Sequence, residues 1–125
     1  MTAVLVLVDD DDAIRYALGK KLSRVGFEIV AASDARSALA LPEDTFMNAA
    51  AVITDVVMPG MDGRALGAAL RGRFPRLPIL YMSGFYDPAR FARGGGLASM
   101  ERFLEKPFTD QDLWRALDEL GVRAA

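Results

Sequence analysis

A chain of 125 residues, 52% hydrophobic and 26% charged, has the size and composition of one ordinary domain with a substantial core. A net charge of -2 gives no electrostatic reason to expect nucleic acid or an anionic membrane as a direct partner. Cysteine and histidine are both absent, which excludes disulfide, thiolate and imidazole chemistry and leaves carboxylates, hydroxyls and lysine.

In chain order, "AVLVLV" (3–8) is apolar throughout and rich in valine, which predicts a central parallel strand covered on both faces. It is far shorter than the ~20 residues of a membrane helix. With no basic flank or small-residue cleavage site, it is expected to be a strand and not a signal peptide. Ile14, Leu18, Leu22 and Val25 recur at helical spacing until Gly26, with Asp11 and Asp12 capping or starting that helix. "EIVAA" (28–32) predicts a second strand. Ser33 is expected to cap a helix with Ala35, Ala38, Leu39 and Leu41 inside, ended by Pro42.

The third strand is "AAVIT" (50–54), and Ala65, Leu66, Ala69 and Leu70 mark the helix after it. Asp62, in "PGMDG", reads as a turn residue more readily than as a ligand. "PILYM" (78–82) predicts the fourth strand. Residues 84–99, "GFYDPARFARGGGLAS", break the pattern, because each interior glycine costs a helix about 1 kcal/mol relative to alanine. A short helix over 88–93 followed by a mobile glycine loop is expected there. "RFLE" (102–105) is the fifth strand. Thr109 then caps a last helix with Leu113, Leu117 and Leu120 inside and Gly121 at its end, Trp114 falling off that stripe. Five strands alternating with helices imply one α/β domain over 1–125, a parallel sheet with right-handed crossovers.

Ligands of open parallel sheets bind beyond the carboxyl ends of the strands. Those ends carry Asp9 and Asp10, Asp55, Ser83 and Lys106. Unit charges ~4 Å apart repel by ~4 kcal/mol at an effective dielectric near 20, so clustered aspartates must either take up a proton or hold a cation. Without nitrogen or sulfur ligands that cation would be hard and oxygen-bound, with Mg²⁺ the best match.

"LVDDD", "VITDVVMPGMDG", "ILYMSGF" and "FLEKPF", in this order and spacing, resemble the receiver domain of two-component response regulators over nearly the whole chain. The resemblance implies a flavodoxin-like (βα)5 fold with strand order 2-1-3-4-5. It implies that Asp55 accepts a phosphoryl group from a histidine kinase or histidine phosphotransfer protein. Asp9 and Asp10 correspond to the acidic pair that binds Mg²⁺, joined by Asp55 and the backbone carbonyl of Val57. Ser83 matches the hydroxyl residue that contacts the phosphoryl group, Lys106 the lysine that pairs with it, and Phe103 the aromatic switch position. The Lys106–Pro107 peptide is often cis in this family. The wording "YMSGF…FLEKPFT" is similar to receivers of hybrid kinases. Val57 and Phe85, apolar beside the path of attacking water, imply slow loss of phosphate.

On this reading the chain catalyses only its own phosphorylation and dephosphorylation, works in the cytoplasm, and binds neither nucleic acid nor membrane directly. Its output is a downstream effector or a covalently linked domain. Two rivals stand beside it. A haloacid dehalogenase-like phosphatase also uses aspartyl phosphate, Mg²⁺, a hydroxyl and a lysine, but Asp110 and Asp112 follow Lys106 too soon for its acidic pair. A pseudo-receiver that binds partners without phosphorylation would have no use for the full set of rim groups.

Overall fold

The computed structural model describes residues 2–84 and 99–124. Its elements are β1 (Val4–Val8), α1 (Asp12–Arg24), β2 (Glu28–Ala32), α2 (Ala35–Leu39), α3 (Glu43–Asn48), β3 (Ala49–Asp55), α4 (Gly63–Arg73), β4 (Ile79–Ser83), β5 (Glu101–Glu105) and α5 (Asp110–Glu119). The helix and glycine loop expected between β4 and β5 fall on 88–98, outside the described residues.

All strand pairings are parallel, in the order β2-β1-β3-β4-β5. β1 explains why its apolar run has no polar alternation. Leu5 and Leu7 point to one face, where Leu18 and Leu22 of α1 and Leu113 and Leu117 of α5 cover them. Val6 and Val8 point to the other, against Ala35 and Ala38 of α2 and Leu66 and Leu70 of α4. These four side chains are fully buried, and Val4 at the start of the strand is half-buried. Burying one such side chain is worth about 1.5–3 kcal/mol, so a polar residue anywhere in this strand would be costly.

Four local expectations need correction. The cap of α2 is Asp34, whose carboxylate accepts from Ser37 N at 2.7 Å, and not Ser33. A carboxylate cap also complements the helix dipole, and these hydrogen bonds from Ser37 hold the Asp34 carboxyl below its ordinary range. Pro42 does not simply end a helix: it begins a further one, α3, which buries Phe46 against Phe74 with ring centroids 5.5 Å apart. On α1 only Leu18 and Leu22 are buried, while Ile14 and Val25 are exposed, because the helix lies on the sheet along a narrow seam. On α4 the buried positions are Gly63, Leu66, Gly67 and Leu70, while Ala65 is exposed.

Gly67 is there because of Tyr81. A Cβ at position 67 would stand 1.9 Å from the Tyr81 hydroxyl, so the helix can pass over this ring only with no side chain. Burial, assisted by the nearby Glu101 carboxylate, pushes the Tyr81 phenol up to about 12. A phenol whose folded value lies above its unfolded one (about 10) contributes stability that is complete below pH ~10 and is lost as pH rises through ~12. In an alkaline titration followed by tyrosinate absorbance, we expect a late step that Tyr81→Phe removes. Its survival in that variant would assign it to another tyrosine.

Asp11 caps α1 as expected, accepting from Ile14 N, while Asp62, expected to be a turn residue, caps α4 by accepting from Ala65 N. Thr109 and Asp112 form a reciprocal capping box at the start of α5. Trp114 is half-buried against the α1/α5 core. The Lys106–Pro107 peptide is cis.

Candidate functional site

The site is assembled at the carboxyl ends of β1, β3, β4 and β5. Asp9 leaves β1 fully buried. Its Oδ1 accepts from Asp11 N at 2.9 Å, and its carbonyl accepts from Arg15 Nη1 at 2.8 Å. The carbonyl is thus braced by a guanidinium that is itself held by Asp12 at 2.6 Å. Asp9 Oδ2 is also buried and has no hydrogen-bond partner among the described residues. Asp10, next in the chain, is exposed.

Asp55 closes β3 beside Met82 of β4 and is buried. The backbone after it turns tightly under α4: Gly63 N donates to Val56 O at 2.8 Å, and Thr54 Oγ1 donates to the Asp55 carbonyl at 2.9 Å. A Cβ on Gly63 would come within 2.1 Å of that same carbonyl. The contact is with backbone, which cannot swing away, so Gly63→Ala must displace the strand end that aims Asp55. We expect a loss of about 2–4 kcal/mol in urea unfolding. A change below ~0.5 kcal/mol would mean the turn relaxes without cost.

Lys106 follows β5, and its backbone N–H donates to the Ser83 carbonyl at 2.7 Å, tying the two strand ends together. Its Nζ lies 3.6 Å from Asp9 Oδ2 and 3.6 Å from Asp55 Oδ1. These are ion-pair distances, too long for hydrogen bonds, and Asp9 Oδ2 is left without a donor despite them. Carboxylate oxygens of Asp9, Asp10 and Asp55 all lie within 4.8 Å of one another. Burial raises the Asp55 carboxyl above its ordinary value; Lys106 pulls it down, while Asp9 and Asp10 push it further up.

The structure therefore brings Asp9, Asp10, Asp55 and Lys106 into one pocket, with Ser83 buried at the adjoining strand end. Val57 lies just beyond and is 69% exposed. Phe103 stands farther back on β5, half-buried and in register with Tyr81. Phe85 lies outside the described residues. Three supports had not been read from the sequence: the Arg15 brace, the Thr54 hydroxyl and the Gly63 close approach. Of these, only Gly63 stands in a motif singled out from the sequence, "PGMDG", where Asp62 was read as a turn residue.

The donor set fits a hard divalent cation. It consists of carboxylate oxygens, one of them buried and without a hydrogen bond among the described residues, and Lys106 is the cation that faces them there.

The model of the response regulator receiver domain matches residues 5–118. The chain belongs to that family. Among its relatives, the response regulator protein FleR of Pseudomonas aeruginosa is 42% identical over 100% of this chain and 25% of its own length. The sensor kinase CckA of Brucella abortus is 33% identical over 95% of this chain and 12% of its own. Among solved structures, the Vibrio cholerae chemotaxis protein CheY4 superposes with a TM-score of 0.82 at 28% identity, covering 96% of this chain and 99% of that one. This receiver domain thus spans a quarter or less of those two curated relatives and nearly all of the third protein. Membership of the family leaves the phosphatase reading without support. No helix among the described residues of the receiver is long and apolar enough to cross a membrane.

Proposed function

We propose that this receiver takes a phosphoryl group onto Asp55 from a phosphohistidine of a histidine kinase or phosphotransfer protein. One observation carries the reading: three carboxylates and Lys106 converge on a pocket in which a buried oxygen of Asp9 has no hydrogen-bond donor among the described residues. Asp9, Asp10 and Asp55, with the Val57 carbonyl, would hold Mg²⁺. When bound, Mg²⁺ supplies neutralising charge at the phosphoryl oxygens.

The chain's own groups do the rest. An Asp55 carboxylate oxygen attacks phosphorus in line, the P–N bond of the donor breaks, and its electron pair leaves on the imidazole nitrogen. The tight turn at Gly63 and the Thr54 hydroxyl hold the Asp55 backbone, so the carboxylate is aimed before the donor arrives. Lys106 balances charge on the transferred group, and the Ser83 hydroxyl donates to one of its oxygens.

Phosphorylation replaces a single carboxylate charge with nearly two, carried on more acceptor oxygens. Ser83 moves toward them, and Phe103, half-buried beside β4, turns into the space released. That remodels the surface of β5 and α5, which an effector or a linked output domain reads. Apolar Val57 beside the site slows the attack of water. The domain acts on itself alone and, with its kinase, in the cytoplasm.

The test is incubation with acetyl phosphate and Mg²⁺, followed by intact-mass measurement and peptide mapping. We expect the mass of one phosphoryl group, located on Asp55 and lost when EDTA is present. Folded protein that takes up nothing, or a label elsewhere, would refute the reading and restore the pseudo-receiver alternative.

A further inference from the structure

A second feature lies apart from the phosphoryl pocket, on the free edge of the sheet. β2 is an outer strand, bonded on one side to β1 only. Glu28 N donates to Ala3 O at 2.9 Å, and Asp9 N donates to Ala32 O at 3.2 Å, so the backbone groups of 28 and 32 face β1. By strand alternation, the N–H and C=O of Ile29 and Ala31 face outward, with no strand beside them among the described residues. The side chains of the same two residues form the floor of an open groove of about 770 Å³ between β2 and α1.

The α1 wall of this groove is unusual for a helix surface. Gly19 leaves a gap, where a Cβ would only touch Ile29 and Leu7 at 3.7 Å. Tyr16 stands over it, 68% exposed, with the Lys20 ammonium 5.4 Å from its ring centroid. Asp12 and Arg15 neutralise each other at 2.6 Å, which leaves Lys20 and Arg24 as the net charge of the lining. Neither is paired with a carboxylate among the described residues. Glu28, on β2 itself, belongs by alternation to the opposite face of the sheet. A groove of charge +2 therefore lies on a chain of net charge -2.

We infer that this groove docks an extended acidic segment of a partner protein by strand addition to β2. Main-chain bonds to Ile29 and Ala31 hold the segment, alternate side chains enter over Gly19 beside Tyr16, and its carboxylates meet Lys20 and Arg24. Charge complementarity decides against a second copy of this chain, since two such grooves brought edge to edge would set their cations against each other.

The probe is a short peptide of alternating valine and glutamate, titrated into the intact chain and followed by amide chemical shifts. Saturable shifts are expected at Ile29, Ala31, Tyr16 and Gly19, weakening as salt is raised. Lys20→Glu with Arg24→Glu should weaken binding roughly tenfold or more, and leave phosphoryl uptake from acetyl phosphate unchanged. Both positions are exposed on α1, and preserved shifts elsewhere would show that the variant is folded.

Several results would overturn the inference. One is equal binding of a valine–lysine peptide; another is shifts that avoid β2. Concentration-dependent shifts of Ile29 and Ala31 without peptide would assign the edge to self-association. The same shifts produced equally well by a single-stranded oligonucleotide would make it a general polyanion site.

Discussion

Asp55→Asn is expected to abolish phosphoryl uptake and, in the same molecule, to raise the unfolding temperature of the metal-free domain. The first effect follows from chemistry: an amide oxygen is too poor a nucleophile to replace the carboxylate. The second follows from electrostatics. Burial, reinforced by Asp9 and Asp10, raises the Asp55 carboxyl by more than Lys106 lowers it. An acid whose folded value lies above its unfolded one stabilises the fold at low pH, and loses that contribution as pH rises through the folded value. At neutral pH the charged carboxylate is therefore a net cost, and the nearly isosteric amide removes it. The midpoint should rise by a few degrees at pH 7, with the gap to the native chain closing toward pH 4. A lower midpoint at pH 7 would show that attraction to Lys106 outweighs burial and repulsion together.

Lys106→Met should do the opposite. Nζ is the one cation within 4 Å of the buried Asp9 oxygen and of Asp55 among the described residues. Removing one partner of a buried pair leaves its charge uncompensated, typically at 3–5 kcal/mol. Lys106 is partly exposed, which moderates the loss to about 2–3 kcal/mol and lowers the midpoint by roughly 10 °C. Phosphoryl uptake should also slow by about 10²-fold, because a preorganised charge facing the transferred group is lost.

The pH dependence of this second variant has a definite sign. Without the lysine, the Asp55 carboxyl rises further, so the deficit is largest near neutrality and shrinks as acid protonates it. Millimolar Mg²⁺ should restore more stability to Lys106→Met than to the native chain. Thermal scans across pH, with and without the metal, measure both effects. An unchanged midpoint at pH 7 would mean that the ion pairs contribute nothing net. Combined with Asp55→Asn, the lysine change should cost less than it does alone, since the two charges face each other.

The rim groups were legible because strand ends are legible. "LVDD", "ITD" and the serine after "ILYM" place polar atoms where apolar runs stop, and a parallel sheet collects such ends on one side. A helix cap was legible at Thr109, which stands just before the apolar stripe of α5, though its partner Asp112 was not read as part of the cap. Another was misread where two capping residues stand together, at Ser33 and Asp34, because either hydroxyl or carboxylate can serve and backbone geometry selects. α3 escaped for a related reason. Pro42 is at once a helix stop and a helix start, and a six-residue helix has too few turns to display a period.

By itself, the order of residues determined the alternating αβ pattern, the two-faced burial of β1 and which charged groups reach the rim, since these depend on periodicity and on neighbours close in the chain. Only the folded molecule decided how those groups meet. The 3.6 Å approaches of Lys106 to Asp9 and Asp55, the Asp9 oxygen with no donor among the described residues, the Arg15 brace and the passage of α4 over Asp55 and Tyr81 at Gly63 and Gly67 join atoms distant in sequence or set apart by a turn. The groove beside β2 belongs with them: it exists because β2 is at the edge of the sheet and α1 lies where its narrow apolar stripe puts it. Such contacts depend on distances between elements, set by packing, and local pattern carries no measure of them.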